Sequence, residues 1–366
     1  MNHQHATPRA QRAHHSPTTD PRLAVLSEQP YNAETRTEQL VGLLTPTAAF
    51  YKRNHFPIPQ LDAATWRLEV GGAVARPLTL TLDALRALPC RTLTVTLECA
   101  GNGRTAMRPP AEGEPWGFGA VSTAEWTGVP LVAVLRAAGV ADGTREIVIT
   151  GADSGHVAAA NATIAYVRSM PVAPALDPST LLAYAMNGEP LAPEHGYPLR
   201  LIVPGWYGMA AVKWISRLEA STDVFRGFYQ YDRYVMCDPA RPDAEPEPLT
   251  TMAVRSLICQ PAAGATLAPG PVMVRGVAWS GAAAIARVEV STDAGRTWAE
   301  VEFTGDAGPF AWRPWQWTWH AATPGAASLQ SRAHDLAGNT QPTAATWNVL
   351  GYANNAVQTV AVTVAG

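Results

Sequence analysis

Glycine and proline interrupt this 366-residue chain more often than they interrupt an average protein. There are 29 glycines and 31 prolines, about one residue in six, and they occur along the whole length. Both residues tend to end regular structure, because glycine favours turns and proline lacks a backbone donor. Long helices are therefore excluded, and the sequence predicts a fold of short strands, short helices and many turns.

The composition describes a globular chain with enough apolar material for a large core. Hydrophobic residues make up 47% of the chain and charged residues only 16%, against about 25% in ordinary proteins. The length predicts two folded domains. The net charge of −3 provides no basic field for nucleic acid, and no apolar run reaches the ~18 residues of a membrane helix. We expect neither nucleic-acid nor membrane partners.

Residues 1–40 are predicted to be a disordered tail. Residues 1–22 are polar and contain prolines, and they lack the apolar stretch of a signal peptide. We therefore expect order to begin near residue 41 and the protein to be cytoplasmic. The four cysteines show no CxxC spacing, which argues against a zinc site, a disulfide framework or covalently attached haem.

Residues 41–248 are predicted to form a mixed domain of strands and short helices, in the α+β class. Helices are predicted at 82–89 and at 130–139, where proline occupies the first turn and glycine follows the last. Alternating or β-rich runs predict strands at 66–72, 77–82, 92–98, 145–151, 181–188, 199–205 and 212–220.

A second domain of different pattern is predicted at residues 249–366. The proline-rich, acidic segment 239–248 separates it from the first domain as a linker. Short alternating runs with no helical period follow at intervals of roughly ten residues, at 272–279, 285–291, 297–303, 315–321, 328–335, 343–349 and 356–364. This pattern predicts an all-β, immunoglobulin-like sandwich.

Cys99 stands where a β-rich run breaks into a Gly-Asn-Gly loop that ends at Arg104. The backbone at such a strand end can approach a ligand closely, and active sites often lie there. Arg104 would favour the thiolate, the form that binds metals and attacks electrophiles. An inert buried cysteine is one alternative. A Cys/His hydrolase is another, with its base drawn from His55, His156 and His195.

Residues 51–55 present a second cluster of polar side chains, Tyr51, Lys52, Arg53, Asn54 and His55, which suits the binding of an anion. Lys52 and Lys213 are the only lysines among 27 basic residues. Either a compact point charge is needed at both positions, or the two lysines are present by chance. For the cluster at residues 51–55, the alternative to anion binding is a solvated basic turn. The GxGxxG and GxxxxGK[ST] patterns are absent, which removes the main support for nucleotide binding.

Taken in order, these segments resemble the sulfite oxidase family of molybdenum enzymes. The matching motifs are Tyr51-Lys-Arg-Asn-His55, Thr96-Leu-Glu-Cys-Ala-Gly-Asn-Gly-Arg104, Met186-Asn-Gly188, His195-Gly-Tyr-Pro-Leu-Arg200, Val203-Pro-Gly205 and Val212-Lys-Trp214. The resemblance covers residues 46–220 and resumes in the C-terminal sandwich. It implies a haem-free, bacterial-type member with a molybdopterin-binding domain of the sulfite oxidase type followed by the sandwich.

The resemblance implies a molybdenum–molybdopterin cofactor, no haem, and Cys99 as the protein's ligand to the metal. It assigns the pterin and its phosphate to Tyr51, Lys52, Arg53, Asn54, His55, Asp153, His195, Arg200, Ala211, Val212 and Lys213. It assigns the substrate pocket to the anion-binding residues Arg53 and Arg104, the wall residue Trp116 and the active-site residue Tyr234.

The implied reaction is oxygen-atom transfer that oxidises sulfite to sulfate and passes electrons to a cytochrome, another carrier or oxygen. A reductase of nitrate or a sulfoxide is the alternative within this fold, because two arginines suit any small oxyanion. A non-catalytic pterin carrier or a sandwich-based binding module is a further alternative. The family's vertebrate enzymes bring another arginine from the C-terminal domain, where this chain reads Gly308-Pro309-Phe310 and Arg313 is displaced.

A homodimer through the sandwich is also implied by the resemblance. The sandwich is unusually rich in tryptophan, and we expect more aromatic surface than its own core needs. The residues behind this expectation are Trp298, Trp312, Trp315, Trp317 and Trp319.

Overall fold

The structure is a computed structural model that describes residues 19–236 and 245–366. In the first part of the chain the described strands are β1 (Leu23–Glu28), β2 (Tyr31–Thr35), β3 (Leu68–Gly72), β4 (Leu78–Leu80), β5 (Arg91–Glu98), β6 (Val121–Pro130), β7 (Glu146–Val157), β8 (Ala162–Pro171), β9 (Leu181–Met186), β10 (Glu189–Pro190), β11 (Arg200–Ile202), β12 (Ile215–Ser221), β13 (Val235–Met236) and β14 (Glu247–Pro248). The helices are α1 (Leu82–Arg86), α2 (Leu131–Ala138), α3 (Val172–Ala175) and α4 (Phe228–Tyr231). Short 3-10 turns occur at Thr37–Gln39, Thr47–Ala49, Arg104–Ala106, Ala158–Ala160, Pro193–His195 and Gly208–Ala210.

The first domain is built on two five-stranded sheets. One has the order β10-β9-β6-β5 with β11 also paired to β9, and the other has the order β4-β3-β12-β7-β8. The β12–β3 pair is parallel, whereas the other pairs in these sheets are antiparallel. One hydrophobic core joins both sheets and α2, through residues that include Leu68, Ile147, Leu218, Val129, Leu182 and Leu135. The predicted mixed α+β domain is confirmed.

The two longest strands of this domain that the sequence did not predict are β6 and β8. β6 lies between β5 and β9, and eight of its ten residues are buried, including Trp126. A strand covered on both faces has no polar side to alternate with, so its sequence lacks the period of two on which the prediction rested.

No helix in the described part of the chain has the length and apolar character needed to cross a membrane.

The predicted disordered tail over residues 1–40 is wrong for its second half. β1 and β2 form an antiparallel hairpin, and Leu23, Tyr31 and Ala33 pack into a small core of their own. Thr35 donates from its hydroxyl to Ala49 O at 2.8 Å, which joins the hairpin to the first domain. The polar residues around this short run concealed it. Residues 1–18 lie outside the described residues.

The second domain is a two-layer β-sandwich. Its strands are β15 (Arg255–Gln260), β16 (Thr266–Leu267), β17 (Gly270–Trp279), β18 (Ile285–Ser291), β19 (Ala299–Glu300), β20 (Glu302–Phe303), β21 (Arg313–Ala321), β22 (Gly325–Asp335) and β23 (Thr359–Val364). The sheet orders are β15-β17-β21-β20 and β16-β23-β22-β18-β19, and one core contains side chains of both sheets. The predicted sandwich is confirmed. Residues 237–244, most of the predicted linker, lie outside the described residues.

The strand predicted at residues 343–349 does not form. The segment between β22 and β23 instead runs irregularly across to the first domain. Trp347 Nε1 donates to Pro109 O at 2.9 Å, and Ala353 N donates to Ala100 O at 2.8 Å. Asn354 Nδ2 donates to Gly103 O at 2.7 Å. One of these bonds uses the backbone of the segment and two use its side chains, and together they hold the segment against the loop that follows Cys99.

The expected surplus of aromatic surface on the sandwich is wrong for two of the five tryptophans. Trp312 and Trp315 are fully buried, and their indole nitrogens donate to Gly42 O at 3.0 Å and Ser256 Oγ at 3.2 Å. Trp317 and Trp319 are half-buried and pack against the sandwich core. Most of this tryptophan cluster therefore serves packing within the chain.

Candidate active site

Two adjoining cavities in the first domain collect every residue predicted for the site. The first cavity, of about 660 Å³, is lined by Tyr51, Lys52, Arg53, Asn54, His55, Cys99, Asp153, His195, Arg200, Ala211, Val212, Lys213 and Tyr234, among others. The second cavity, of about 830 Å³, is lined by Arg53, His55, Cys99, Arg104, Trp116 and Tyr234, among others. Arg53, His55, Cys99 and Tyr234 line both cavities, so Cys99 belongs to a shared wall.

Cys99 is fixed by the end of β5 and by the turn that follows it. Its backbone N donates to Ala120 O at 2.8 Å, and its O accepts from Asn102 N at 2.9 Å. Gly103 has a φ of +83°, and a Cβ there would lie 2.7 Å from Arg255 Nη2, so the turn requires glycine. This geometry explains the second glycine of the Gly-Asn-Gly sequence.

Arg104 favours the Cys99 thiolate, as expected, but its charge does not decide the protonation of the thiol in the protein alone. Burial raises the pKa of the Cys99 thiol, and the charges of Arg53 and Arg104 only partly oppose it. A coordinated metal ion deprotonates a thiol directly, which removes the need for a low intrinsic pKa. The thiol is therefore better suited to metal binding than to acting as a free nucleophile.

A buried polar network holds the residue before the cysteine. Glu98 Oε1 accepts from Arg255 Nη1 at 2.8 Å and from Asn102 Nδ2 at 3.0 Å, while Oε2 accepts from Trp279 Nε1 at 2.9 Å. Arg255 and Trp279 belong to the sandwich domain. The second domain therefore holds the Cys99 loop in place through the Glu98–Arg255 ion pair, whose side chains are almost wholly buried.

Both arginines of the second cavity are anchored by neutral oxygen atoms. Arg104 Nε donates to Leu350 O at 2.9 Å and Nη1 donates to Glu114 O at 2.6 Å. Arg53 Nη1 donates to Asn54 O and, at 3.3 Å, to Asn32 Oδ1. No carboxylate cancels either charge through these bonds, so both guanidinium groups retain positive charge toward the cavity.

Tyr234 and His55 form a hydrogen-bonded pair at the shared wall, with Tyr234 Oη 2.6 Å from His55 Nε2. Burial lowers the pKa of His55 well below its usual value, and the charges of Arg53, Lys213 and Arg168 add to the effect. The imidazole is therefore neutral and can accept the hydrogen bond from Tyr234. His55 also stacks on Tyr166 at 4.7 Å between ring centroids.

The far end of the first cavity carries several cations. Lys213 Nζ donates to Asn54 Oδ1 and, at 3.0 Å, to Glu194 O. Arg200 donates to His195 O at 2.9 Å and to Ala211 O at 3.2 Å, and Lys52 forms an ion pair with Glu194 at 3.2 Å. Both lysines of the chain thus reach this cavity.

Burial and bonding set the protonation of the other titratable groups in the first cavity. Burial lowers the pKa of His195 to about 3, so its neutral ring donates from Nε2 to Thr47 O at 3.0 Å. Burial also lowers the pKa of Arg200 to about 10 and raises that of Asp153 to about 6. Asp153 Oδ1 and Arg200 Nε are buried without a hydrogen-bond partner in the described protein. They are therefore available to a ligand.

The hydrolase alternative is not supported by these contacts. His55 and His195 line the first cavity with Cys99, but their Nε2 atoms bond to Tyr234 and Thr47 respectively. His156 lines neither cavity.

Arg313, the displaced arginine of the second domain, also lines neither cavity. Its Cζ lies 3.5 Å from the ring centroid of Phe303, and its Nη1 donates to Ile285 O at 3.1 Å.

Several lining residues were missed by the sequence analysis. Sequence proximity could have indicated Glu194 and Arg233, because they precede His195 and Tyr234. Leu350 and Tyr352 could not have been found, since they come from an irregular segment of the other domain. The remaining missed residues include Phe50, Tyr166, Trp214, Glu112, Glu114 and Tyr229.

Comparison with known families defines the class of protein. Residues 55–229 match the oxidoreductase molybdopterin binding domain, and residues 247–365 match the Mo-co oxidoreductase dimerisation domain. The first range spans most of the residues that line the first cavity. The chain is thus a molybdopterin-binding oxidoreductase with a C-terminal dimerisation domain.

Individual relatives narrow the class to a family. The chain is 38% identical to mouse mitochondrial sulfite oxidase over 93% of its own length and 65% of that protein, and 37% identical to chicken sulfite oxidase over 93% and 78%. The crystal structure of sulfane dehydrogenase SoxCD from Paracoccus pantotrophus matches with a TM-score of 0.81 and 32% identity, covering 93% of this chain and 85% of that one. The chain belongs to the sulfite oxidase family.

Proposed function

We propose that this protein oxidises sulfite to sulfate at a molybdenum–molybdopterin centre and passes the electrons to an external acceptor. The observation that carries the proposal is the shared wall, where Cys99 lies between the first cavity and two arginines of the second. The similarity of the chain to sulfite oxidases supports sulfite as the proposed substrate. The absence of haem and the cytoplasmic location remain predictions from the sequence.

The residues of the first cavity fit a molybdopterin. A cysteine sulfur suits a soft metal, and Arg200 and Lys213 suit a phosphate. The unpartnered Asp153 Oδ1 and Arg200 Nε would bond to polar groups of the pterin. When bound, the molybdenum centre would supply two-electron oxygen-atom transfer. The chain would hold the pterin, provide Cys99 as ligand and exclude bulk water from the shared wall.

The second cavity would hold the substrate anion beside the shared wall. Arg53 and Arg104 retain their charge, so they replace the water that a dianion loses on binding. Tyr234 would donate a hydrogen bond either to His55 or to a substrate oxygen. Glu112 and Glu114 lie in the same cavity lining, which limits its net positive charge and would favour release of the sulfate product.

Metal analysis combined with a sulfite-dependent ferricyanide assay tests the proposal. We expect about one molybdenum per chain and ferricyanide reduction that requires sulfite. Stoichiometric molybdenum without sulfite-dependent reduction would contradict it. Oxidation of a reduced dye by nitrate or by a sulfoxide would instead support the reductase alternative.

Sulfane sulfur is a second candidate substrate. The sandwich contributes Leu350 and Tyr352 to the second cavity, so its side of the pocket is apolar and aromatic. Such a wall suits a substrate with an uncharged part better than it suits a free dianion, and the SoxCD structure is a sulfane dehydrogenase. A higher kcat/KM with thiosulfate or an organic persulfide than with sulfite would favour this candidate.

Replacing either arginine of the second cavity with glutamine is expected to lower kcat/KM for sulfite by roughly ten- to two-hundred-fold. A charge-assisted hydrogen bond contributes on the order of 1.5–3 kcal/mol, and much of the loss should appear in KM because bound sulfite already carries the charge. Steady-state kinetics normalised to bound molybdenum measures the effect. Arg217→Gln, on the exposed face of β12, is the control. Unchanged KM in both Arg53→Gln and Arg104→Gln would rule out the anion clamp.

A homodimer through the second domain is the proposed assembly, supported by the match to the dimerisation domain. Light scattering at micromolar concentration is expected to give twice the chain mass.

The immunoglobulin-like grouping of the sandwich is likewise part of the proposal. It is supported by the passage of the chain from β15, in one sheet, to β16, which pairs in parallel with β23 in the other.

A further inference from the structure

The hairpin of β1 and β2 lies outside both matched family domains, yet it packs directly against the loop that carries Arg53. The family match begins only at residue 55. Ala33 in β2 exchanges backbone hydrogen bonds with Lys52 in both directions, at 2.9 and 2.8 Å. Asn54 Nδ2 donates to Tyr31 O at 2.6 Å. The hairpin is therefore joined to the segment that reaches the shared wall by one β-bridge and by the side chain of Asn54.

Asn32 occupies the centre of this contact and is fully buried. Its Oδ1 accepts from Asn54 N at 2.7 Å and from Arg53 Nη1 at 3.3 Å. Its Nδ2 donates to Pro30 O at 3.2 Å, in the turn of the hairpin. The Asn32 side chain thus fixes the position of the Arg53 guanidinium relative to the Asn54 amide and connects both groups to the hairpin.

The chemical nature of this acceptor matters for Arg53. A carboxylate at the same place would also orient the guanidinium, but it would cancel much of its charge. An amide oxygen orients the group and leaves the charge available to an anion. Arg53 Nη1 also donates to Asn54 O, which is neutral as well.

We propose that Asn32 is a positioning residue for the substrate anion, acting through Arg53. It lines neither cavity, so it does not touch the substrate. It sets the direction of the Arg53 guanidinium and preserves its charge. The inference rests on the proposed function, in which Arg53 binds the anion.

Two substitutions at position 32 separate this role from a structural one. Asn32→Ala removes the acceptor and should raise KM for sulfite roughly three- to tenfold, the effect of one lost hydrogen bond. Asn32→Asp keeps an acceptor oxygen but adds a negative charge beside Arg53, so its KM should rise further still. A merely structural role predicts the opposite order, since Asn32→Asp preserves more of the bonding. Calorimetric binding of sulfate to the holoenzyme gives a second readout, with Kd expected to follow the same order.

Thr35→Val is the matched control. Thr35 lies in the same hairpin, is equally buried, and bonds through its side chain to Ala49 O at 2.8 Å without contacting Arg53. Its KM and sulfate Kd per bound molybdenum should equal those of the unaltered protein. Unchanged KM in both Asn32 variants, with a raised KM in Arg53→Gln, overturns this inference alone. Unchanged KM in Arg53→Gln as well overturns the role of Arg53 in the proposed clamp, on which the inference rests.

Discussion

Replacing Cys99 with serine is expected to lower sulfite oxidation by orders of magnitude while the protein still folds and still binds its pterin. The pterin contacts proposed for Arg200, Lys213 and Asp153 do not involve the cysteine, so cofactor content should change little. A serine hydroxyl is a hard oxygen ligand in place of a soft sulfur, and it changes the electronic character of the bound metal. Turnover per bound molybdenum, together with pterin content, measures the effect.

A second cysteine provides the control for this experiment. Cys259 is fully buried in β15 of the sandwich, and its sulfur lines neither cavity. Cys259→Ser should destabilise the protein modestly, because a hydroxyl is placed in an apolar core. Its turnover per molybdenum should nevertheless remain unchanged. Near-normal turnover in Cys99→Ser would refute the ligand assignment, whatever happens to pterin content.

Motifs matched to the family resemblance picked out the residues that line the two cavities better than sequence periodicity predicted the strands around them. Tyr51 to His55, Cys99 to Arg104 and the segment 211–213 each bring several lining residues within a few positions of one another. Residues within a short motif share one local backbone conformation, so that conformation places all of their side chains in the same region of the structure. Every residue predicted for the site lines one of the two cavities.

The contributions that the sequence could not predict come from distant parts of the chain. Asn32 belongs to a hairpin whose few apolar residues gave no clear period, and Tyr352 belongs to a segment whose backbone is held by Asn348 and by Ala100 O. Side chain-to-backbone bonds of this kind leave no repeating pattern. β15 was missed for another reason, since five of its six residues are buried and the run does not alternate.

Replacing Arg255 with methionine is expected to destabilise the protein by about 3–5 kcal/mol. Arg255 and Glu98 form an ion pair with side chains only 1% and 3% exposed, so removal of the arginine leaves a buried carboxylate without its counter-charge. Trp279 and Asn102 would still donate to Glu98, but neutral donors replace only part of the lost interaction. Chemical denaturation of the holoenzyme, with the slope checked for constancy, measures the loss.

Two comparisons show whether this loss comes from burial of the charge. Arg217→Met removes a similar contact from Glu219, at 3.0 Å, but both side chains there are about half exposed, so the expected cost is about 0–1 kcal/mol. The double variant Glu98→Gln/Arg255→Met should be more stable than Arg255→Met alone, because no unpaired charge remains. A loss below about 1 kcal/mol in Arg255→Met would contradict the buried-pair interpretation. In that case the sandwich would hold the Cys99 loop mainly through Asn354 and Ala353, which bond to Gly103 O and Ala100 O.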